Sequence, residues 1–451
     1  MAEITNKFYR GEPLRATIYF DSETEYQITT AADENGNSIV SAEFNYNEGN
    51  NNANNILGIN TPNKLSLKLY DSNNNLSPSN SESPYFNKID INLKIKLEIS
   101  YDGLTWSPFG DWYVDDWKSN FLYNGAGYTN ISCSDKLSQI SDMQIPTMRV
   151  YNNVQATAVI VSLFEALGWN SNEYNIDSRL NFELPYGVAQ GDKIRDTLNN
   201  ICQIILARII VDREGIVRVV PALLAYQNSN NITLGPDDIA DEINTEFNAG
   251  MFYKDVNIKY LSTTGEKESY ELYKGTKSLV KGTNNLDVIK FNEKCISVEN
   301  VHITYENEDN GKINSMHYNA YMDGIALTLV TSDVIDEASI YIEGKIYKTN
   351  EEVYNKVIDD SIDAGTFNFD TQQILDNLSA AIIGNKIASY VTSMKKIINL
   401  SANNLSPKLF TGDTVTITNT DTIYDGIYKI INLSIKFSEG YSTSLKLIKL
   451  S

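Results

Sequence analysis

The most constraining feature of the sequence is an alternating stretch, Leu93–Tyr101, in which the odd positions are apolar and the even positions are polar. A period of two is that of a β-strand with one buried face. A turn can form at Asp102-Gly103, after which the chain re-enters an aromatic strand over Phe109–Trp117. The two segments therefore predict a β-hairpin that needs further strands to cover its apolar face.

Additional strands are predicted on both sides of this hairpin. One follows it at Gly127–Cys133 and leads into a short helix over Ser134–Met143, which Ser134 or Asp135 can cap. Three more precede it and show the same alternation: Leu14–Phe20, Val40–Tyr46 and Leu65–Leu69. The N-terminal third of the chain is therefore predicted to form one sheet.

Length and charge restrict the classes of protein to which the chain can belong. At 451 residues it is too long for a single core, and three or four packing units are expected. A net charge of −21 argues against a surface that grips nucleic acid or anionic lipid, although it allows DNA to pass without sticking. We find no apolar run of membrane-spanning length and no secretory signal at the start, and we expect a soluble protein made in a cytoplasm.

Cysteine and histidine give no sign of a metal or redox site. Cys133, Cys202 and Cys295 are odd in number and far apart, and we interpret them as small core residues. His302 and His317 lie in strand-like segments without a second ligand at metal-binding spacing, and each is expected to be satisfied or solvent-facing. No metal or cofactor is therefore predicted.

Catalytic patterns are equally missing from the sequence. The acidic neighbours Asp115-Asp116 and Asp359-Asp360 would point to opposite faces of a strand and cannot flank one bond. No nucleophile elbow, zinc-protease helix, P-loop or dinucleotide-binding glycine pattern occurs. We predict that the chain is not an enzyme and assign no catalytic residue.

Two Asn-rich loops separate the early strands, Asn45–Asn55 and Asp71–Asn87, and both are expected to be exposed and mobile. The second has oxygen-bearing side chains at the ligand spacing of a twelve-residue calcium loop: Asp71, Asn73, Asn75, Ser77, Ser79 and Glu82. Against a calcium site, Leu76 occupies the position that requires glycine, and the flanks have the pattern of strands. Turn chemistry is the preferred interpretation.

From Tyr151 the apolar period changes to that of helices. Residues at three- and four-residue spacing predict a helix that Gly168 can end, and Asp192 can cap a second helix. The strands Arg208–Asp212 and Ile216–Val220 follow, with a turn between them. These elements predict an α/β insert domain over residues 150–245, in which Leu234–Glu242 resembles a connector.

The remainder is predicted to be mostly β. Four segments there are strand-like: Val256–Tyr260, Ile296–Tyr305, Ala326–Val330 and Ile340–Ile346. A long helix is predicted over Thr371–Met394, and closing strands follow within Val415–Leu447. The fold class is therefore α+β, mainly β.

The order of these segments resembles that of the baseplate hub or tail-tip hub proteins of long-tailed phages, which are related to the type VI secretion spike base. Four stretches carry the resemblance: Leu57–Leu69; Phe109–Trp117 with Ile131–Leu137; Gly191–Leu198 through Ile210–Val217; and Phe410–Ile417 with Tyr424–Ile430 and the final strand pair. The Asp71–Asn87 insertion and the Gly265–Asn292 segment match nothing in that family.

The resemblance implies two tail-tube-like β-barrels in one chain, with an α/β insert domain and a helix in the C-terminal third. The implied division is residues 1–149 for the first barrel, 150–245 for the insert, 246–350 for the first part of the second barrel, 351–404 for a helical segment and 405–451 for the closing strands. Three such chains would present six barrels around a channel, which would adapt a six-fold tail tube to a three-fold tip.

The resemblance also implies partners and a location. These are a homotrimer in a phage virion, assembled in the host cytoplasm, with the tail tube protein, distal tail or baseplate proteins and a tip or spike protein as neighbours. DNA would pass through the channel without specific binding, and no part would insert into a membrane.

Two other functions stay open. One is a virion or surface carbohydrate-binding module, suggested by Trp106, Trp112 and Trp117 near turns, although aromatic residues on strands are more often core. The other is a tail-associated hydrolase with a site assembled across the fold.

Overall fold

We describe the protein from a computed structural model of the 451-residue chain. The described residues are 14–47, 57–100, 104–121, 127–140, 143–145, 149–189, 193–222, 231–240, 243–246, 253–306, 311–321, 323–361, 364–374, 377–393, 397–403, 409–418, 424–437 and 441–450. The predicted turn at Asp102-Gly103 and the predicted cap at Asp192 lie outside them.

Within these residues the chain is mainly β. The strands in chain order are β1 (Leu14–Tyr19), β2 (Glu25–Thr29), β3 (Ser38–Asn47), β4 (Gly58–Ile59), β5 (Lys64–Asp71), β6 (Lys94–Ser100), β7 (Trp106–Phe121), β8 (Gly127–Ser134), β9 (Arg149–Gln155), β10 (Tyr174–Ile176), β11 (Glu183–Ala189), β12 (Ala207–Val211), β13 (Val217–Pro221), β14 (Asn231–Leu234), β15 (Asn244–Glu246), β16 (Tyr253–Leu279), β17 (Gly282–Lys290), β18 (Lys294–Tyr305), β19 (Ile313–Ala320), β20 (Gly324–Thr331), β21 (Ile335–Val357), β22 (Gly365–Ile374), β23 (Ile397–Asn403), β24 (Thr414–Ile417), β25 (Gly426–Phe437) and β26 (Tyr441–Lys449). The α-helices are α1 (Ala156–Ala166), α2 (Ile194–Ile204) and α3 (Asn377–Ser393), and the 3-10 helices span Lys136–Gln139 and Pro236–Asp238.

The first barrel is built around the predicted hairpin. Its strands pair in the order β3-β5-β8-β7-β6-β1-β2, and β2 returns against β3. The apolar face predicted for β6 is confirmed, because Ile95, Leu97 and Ile99 are all fully buried, but the polar positions Glu98 and Ser100 are buried as well. The helix predicted after β8 is a single 3-10 turn, and Asp135 is the residue that caps it.

The insert contains the predicted helices and strands. α1 ends at Ala166, and Gly168 follows with a φ of +80°, as the helix stop required. β12 and β13 form the predicted antiparallel pair, in a four-stranded sheet with the order β10-β13-β12-β4. Because β4 comes from the N-terminal third and runs parallel to β12, the first barrel and the insert share this sheet.

The second barrel uses the closing strands predicted within Val415–Leu447, but its other strands differ from those predicted. Its strands pair in the order β15-β23-β26-β25-β24-β14, so it uses residues 231–246 and the C-terminal strands. Residues 231–240, which include the described part of the segment predicted as a connector, Leu234–Glu242, close the barrel: β14 pairs with β24, and Ile239 bridges to Ala402 on β23. The predicted insert boundary at residue 245 is therefore too late.

The strands within Val256–Ile346 do not join this barrel, contrary to the prediction for residues 246–350. β16 and β21 pair with each other from Asp255↔Val357 to Leu279↔Ile335, with β18 and β22 on either side. We call the long β16–β21 pair the ribbon. A second sheet, β17-β20-β19, packs against the half of the ribbon that contains Leu272 and Ile342, and a separate core lies between them. The backbone N–H and C=O groups of β16 and β21 thus pair with each other and with β18 and β22, and not with strands of the barrel.

Two further predictions need correction. The helix predicted from Thr371 begins at Asn377, because residues up to Ile374 extend β22, where Ile374 pairs with Leu261. The loop predicted as exposed over Asp71–Asn87 has buried residues and a series of turns with bonds between residues three apart. Of the other Asn-rich loop, residues 48–55 lie outside the described residues.

Candidate functional site: the junction of the two barrels and the insert

The two barrels are joined edge to edge into one continuous sheet. β25 pairs with β24 through residues 426–429 and then with β3 through residues 432–437, from Asn432↔Asn47 to Phe437↔Ala42. A single apolar core runs through both barrels and includes Phe44 from β3 and Leu433 from β25. The two barrels of one chain are therefore held side by side by backbone hydrogen bonds and a shared core.

The tip of the β12–β13 hairpin, Asp212–Gly215, packs against this junction. Arg213 places its guanidinium carbon 4.7 Å from the centre of the Phe109 ring in the first barrel. Its Nη2 donates to the carbonyl oxygen of Leu409 in the second barrel. One side chain of the insert thus contacts both barrels.

The glycine at this tip is required by its surroundings. Gly215 has a φ of +77°, and a Cβ there would lie 2.9 Å from Oδ2 of Asp111. Asp111 also forms a salt bridge of 2.6 Å with Lys94. The backbone of the hairpin at Gly215 therefore packs directly against the side chain of Asp111 in the first barrel.

The chain segment before β5 forms a second contact between the first barrel and the insert. The backbone N–H of Ile59 donates to Oδ1 of Asn199 on α2 at 2.7 Å, and that of Asn60 donates to the carbonyl oxygen of Ile209 at 3.0 Å. Gly58 has a φ of +90°, and a Cβ on it would lie 2.6 Å from Oδ1 of Asn199. Glycine allows this close approach.

A third contact ties the ends of β5 and β8 together through a buried acid. Asp135 accepts from the backbone N–H of Asn63 at 3.0 Å and of Leu137 at 2.9 Å, and its own N–H donates to the carbonyl oxygen of Asn63 at 3.2 Å. Burial raises the pKa of Asp135 to about 7, although the hydrogen bonds donated by the two backbone N–H groups favour the charged form. The Asp135 carboxyl therefore titrates near neutral pH.

The second barrel contributes its own turn to the junction. Phe410 stacks edge-on against Tyr46, with ring centres 5.2 Å apart. Oδ2 of Asp413 accepts from the N–H of Phe410 at 2.8 Å, which fixes this turn. Residues from all four stretches that carry the family resemblance therefore take part in the contacts described here between and within the barrels and the insert.

Sequence reasoning missed the central residue of this junction. Arg213 was predicted only as part of a turn, and an arginine at a hairpin tip carries no pattern that identifies its contacts. The β3–β25 pairing was also missed, because it joins strands from opposite ends of the chain.

The three tryptophans suggested as a carbohydrate platform lie in different environments. Trp112 is buried in the core of the first barrel. Trp117 donates its Nε1–H to the carbonyl oxygen of Leu76 at 2.9 Å, beneath the Asp71–Asn87 loop. Arg15 covers the ring of Trp106 at 4.4 Å. The structure therefore does not bring them together into an exposed stacking surface.

The calcium-like spacing in Asp71–Asn87 is used for turns. Oδ1 of Asp71 accepts from the N–H of Asn75 at 3.1 Å and Oδ2 from that of Leu76 at 2.7 Å. Glu82 is exposed at the other end of the loop. Over the part of the chain that the structure describes, no three His, Cys, Asp or Glu side chains form a group that could hold a metal ion.

The other singled-out residues are dispersed. The three cysteines are buried, and burial raises the thiol pKa of Cys202 to about 12 and of Cys295 to about 11. His302 and His317 are exposed. None of the described helices is long and apolar enough to cross a membrane.

The acidic neighbours Asp115 and Asp116 use different basic partners. Asp115 pairs with Lys64 at 2.9 Å, and Asp116 pairs with Lys118. Asp359 caps a local turn by accepting from the N–H of Ser361 at 3.1 Å. The prediction that the Asp115 and Asp116 side chains point to opposite faces is wrong, because a β-bulge between Val114 and Asp116 interrupts the alternation of β7. Asp115 contacts Lys64 and Ser134, which lie on the same outer face of the sheet as Asp116.

Comparisons with known proteins agree with this architecture. No family model and no curated protein matches the sequence. The structure is similar to the 43 kDa tail protein of prophage MuSo2 from Shewanella oneidensis, with a TM-score of 0.55, 10% identity, and 97% of this chain and 98% of that chain covered. It is also similar to a tail protein from Neisseria meningitidis MC58, with a TM-score of 0.54, 7% identity, and 97% of each chain covered. The predicted fold is confirmed: the chain shares the fold of phage tail proteins.

Proposed function

We propose that this chain is the structural hub of a bacteriophage tail tip or baseplate, and that three copies form a ring of six barrels. The observation that carries the proposal is the β3–β25 pairing, which fixes two barrels side by side in one rigid unit. Two barrels per chain and three chains per ring match the six-fold symmetry of a tail tube to a three-fold tip.

The partners follow from this position in the tail. The ring would contact the tail tube protein on one side, distal tail or baseplate proteins around it, and a tip or spike protein on the other side, within the virion. The fold likeness to phage tail proteins supports such neighbours at the level of the fold.

The ring would enclose a channel for DNA ejection and would act without catalysis. A net charge of −21 supports a wall that repels phosphate and allows DNA to slide. Two measurements test the channel and the absence of catalysis: the chain should not retain duplex DNA in a filter-binding assay at low salt, and it should release no fragments from peptidoglycan.

Mass measurement and electron microscopy test the trimer. The purified chain, alone or coexpressed with the tail tube protein of the same phage, should give a particle of three times the 50.6 kDa chain mass. Class averages should show a ring with a central hole and six peripheral densities. Monomers or dimers under both conditions would overturn the proposal.

A further inference from the structure

The outer sheet of the ribbon contains an edge strand, β19, that lacks protective charges and proline and has one bulge at its start, between Ile313 and Ser315. β19 pairs with β20 along one edge, and no described strand occupies its other edge. Soluble proteins guard such edges with charged residues, proline or bulges, because an open edge can pair with any extended chain. β19 reads Ile-Asn-Ser-Met-His-Tyr-Asn-Ala and contains neither proline nor a Lys, Arg, Asp or Glu.

Low charge extends across the whole sheet of which β19 is the edge. β17, β19 and β20 contain only two Lys, Arg, Asp or Glu residues, Asp287 and Lys290, both on β17, whereas such residues make up 21% of the chain. The open half of β21 offers a contrast within the same protein, because Glu351, Glu352 and Lys356 guard it. The missing protection is therefore specific to the β19 side.

The inner face of β19 carries apolar side chains that nothing in the described structure covers. Met316 lies opposite Leu329, and Tyr318 lies opposite Leu327, so both belong to the face that forms the core. Leu329 and Leu327 are fully buried, but Met316 and Tyr318 are 37% and 43% exposed. The apolar face of this sheet thus extends onto β19, where the core no longer covers it. An additional strand beside β19 would cover these side chains.

We infer that β19 accepts an extended segment of a neighbouring tail protein as an additional strand. An added strand would pair with the open backbone edge and cover Met316 and Tyr318 with alternating apolar side chains. Its charge would be neutral or basic, since the chain that receives it is strongly acidic.

Area and symmetry favour a different protein over a second copy of this chain. An eight-residue edge buries on the order of a few hundred Å² per partner, below the ~800 Å² of a standard interface, so an isolated segment should bind weakly and saturate only at high protein concentration. In the tail, the protein that carries the segment would be held nearby by further contacts. Pairing of β19 with β19 of a second copy would be two-fold, and two-fold contacts do not close a ring of three. This symmetry argument rests on the proposed trimer.

A labelled peptide tests the inference on the full-length protein. The probe is a fluorescein-labelled peptide of alternating valine and threonine with lysine at both ends, and fluorescence anisotropy reports its binding. We expect saturable binding to the natural protein and at least about tenfold weaker binding to Met316→Lys and Tyr318→Lys, which add a guarding charge to the edge. The same peptide with every backbone amide N-methylated should not bind, because neither of its edges keeps an N–H that can donate to β19.

Two matched variants control for folding and for charge. Val353→Lys adds the same charge to an exposed position, 59% accessible, on the guarded edge of β21 and should leave peptide binding within about twofold. Met316→Leu should retain binding. Circular dichroism melting checks that each variant folds.

Three results would overturn the inference: no binding to the natural protein, equal binding to Met316→Lys, or loss of an oligomer in Met316→Lys at matched concentration. The third result would identify a second copy as the occupant. A monomeric natural protein that still binds the peptide at β19 would contradict the proposed trimer and leave the β19 inference standing.

Discussion

The guanidinium of Arg213 lies over the ring of Phe109, with its central carbon 4.7 Å from the ring centre. Arg213 comes from the insert, and Phe109 comes from the first barrel. The same guanidinium donates to the carbonyl oxygen of Leu409 in the second barrel. This one side chain therefore fixes the relative position of three parts of the molecule.

Replacing Arg213 with alanine should destabilise the protein markedly. The change removes a partly desolvated cation–π contact, worth about 1–2 kcal/mol, and a charge-assisted hydrogen bond, worth about 1.5–3 kcal/mol. We expect a loss of about 2.5–5 kcal/mol in the free energy of unfolding, measured by urea titration with the m-value compared between proteins. Lys118→Ala, which removes an exposed ion pair with Asp116, should cost less than about 1 kcal/mol. Equal effects of the two substitutions would contradict the role of Arg213.

Asp135 should make stability depend on pH. Its pKa of about 7 in the folded protein lies above the ordinary value of 3.8, so the folded state holds the proton more tightly than the unfolded chain does. The stabilisation is therefore complete below about pH 3.8 and is lost as the pH rises through 7. Urea titrations at pH 5 and pH 8 should show a smaller decrease in unfolding free energy for Asp135→Asn than for the natural protein. The difference should be on the order of a few kcal/mol.

The asparagine variant also separates charge from hydrogen bonding. Its single side-chain oxygen can replace only one of the two acceptor oxygens that serve Asn63 and Leu137. Asp135→Asn should therefore be less stable than the natural protein at pH 5, and this deficit should shrink at pH 8. Parallel pH profiles for the two proteins would show that Asp135 does not titrate in this range.

Local patterns in the sequence predicted the elements better than they predicted the partners of those elements. The apolar face of β6 and the helical spacing of α1 depend on neighbouring residues, and both predictions are confirmed. The second barrel depends on hydrogen bonds between segments far apart in the chain, such as Ile232 with Val415 and Leu433 with Tyr46. Many strands in the chain have the same alternation of apolar and polar residues, and any two of them could pair. Periodicity alone therefore could not select these pairs.

The same limit applies to the junction. Phe109 was predicted as part of a strand and Gly215 as part of a turn, and Phe410 lies in a stretch that resembles a family. None of these grounds gives the contacts of the three residues. A glycine after Arg213-Glu214 predicts a turn, but the approach of Asp111 to that turn is a tertiary feature. Sequence reasoning therefore found the segments of the site and missed the side chain that joins them.

The three cysteines should be unreactive in the folded protein. All are buried, and burial raises the pKa of each thiol, so little of the reactive thiolate forms at pH 8. Ellman's reagent should label none of them over minutes in buffer and all three in 8 M urea, where the unfolded chain exposes them. Rapid labelling of one thiol without urea would show that its part of the structure opens readily.

Gly58 allows a direct test of the contact between the first barrel and the insert. Gly58→Ala should cost about 1 kcal/mol for the positive φ, plus the loss of the hydrogen bond between Asn199 and Ile59, because the new Cβ would displace the Asn199 amide. Gly168→Ala is the matched control: its φ of +80° gives a similar backbone cost, but no atom lies within 4 Å of the added Cβ. We expect Gly58→Ala to be less stable than Gly168→Ala by about 1–2 kcal/mol in urea unfolding. In an Asn199→Ala background, Gly58→Ala should cost only about as much as Gly168→Ala does, since the amide that the new Cβ would displace is already absent. If the two glycine variants are equally stable, the 2.7 Å bond from Ile59 to Asn199 contributes little to holding the insert against the first barrel.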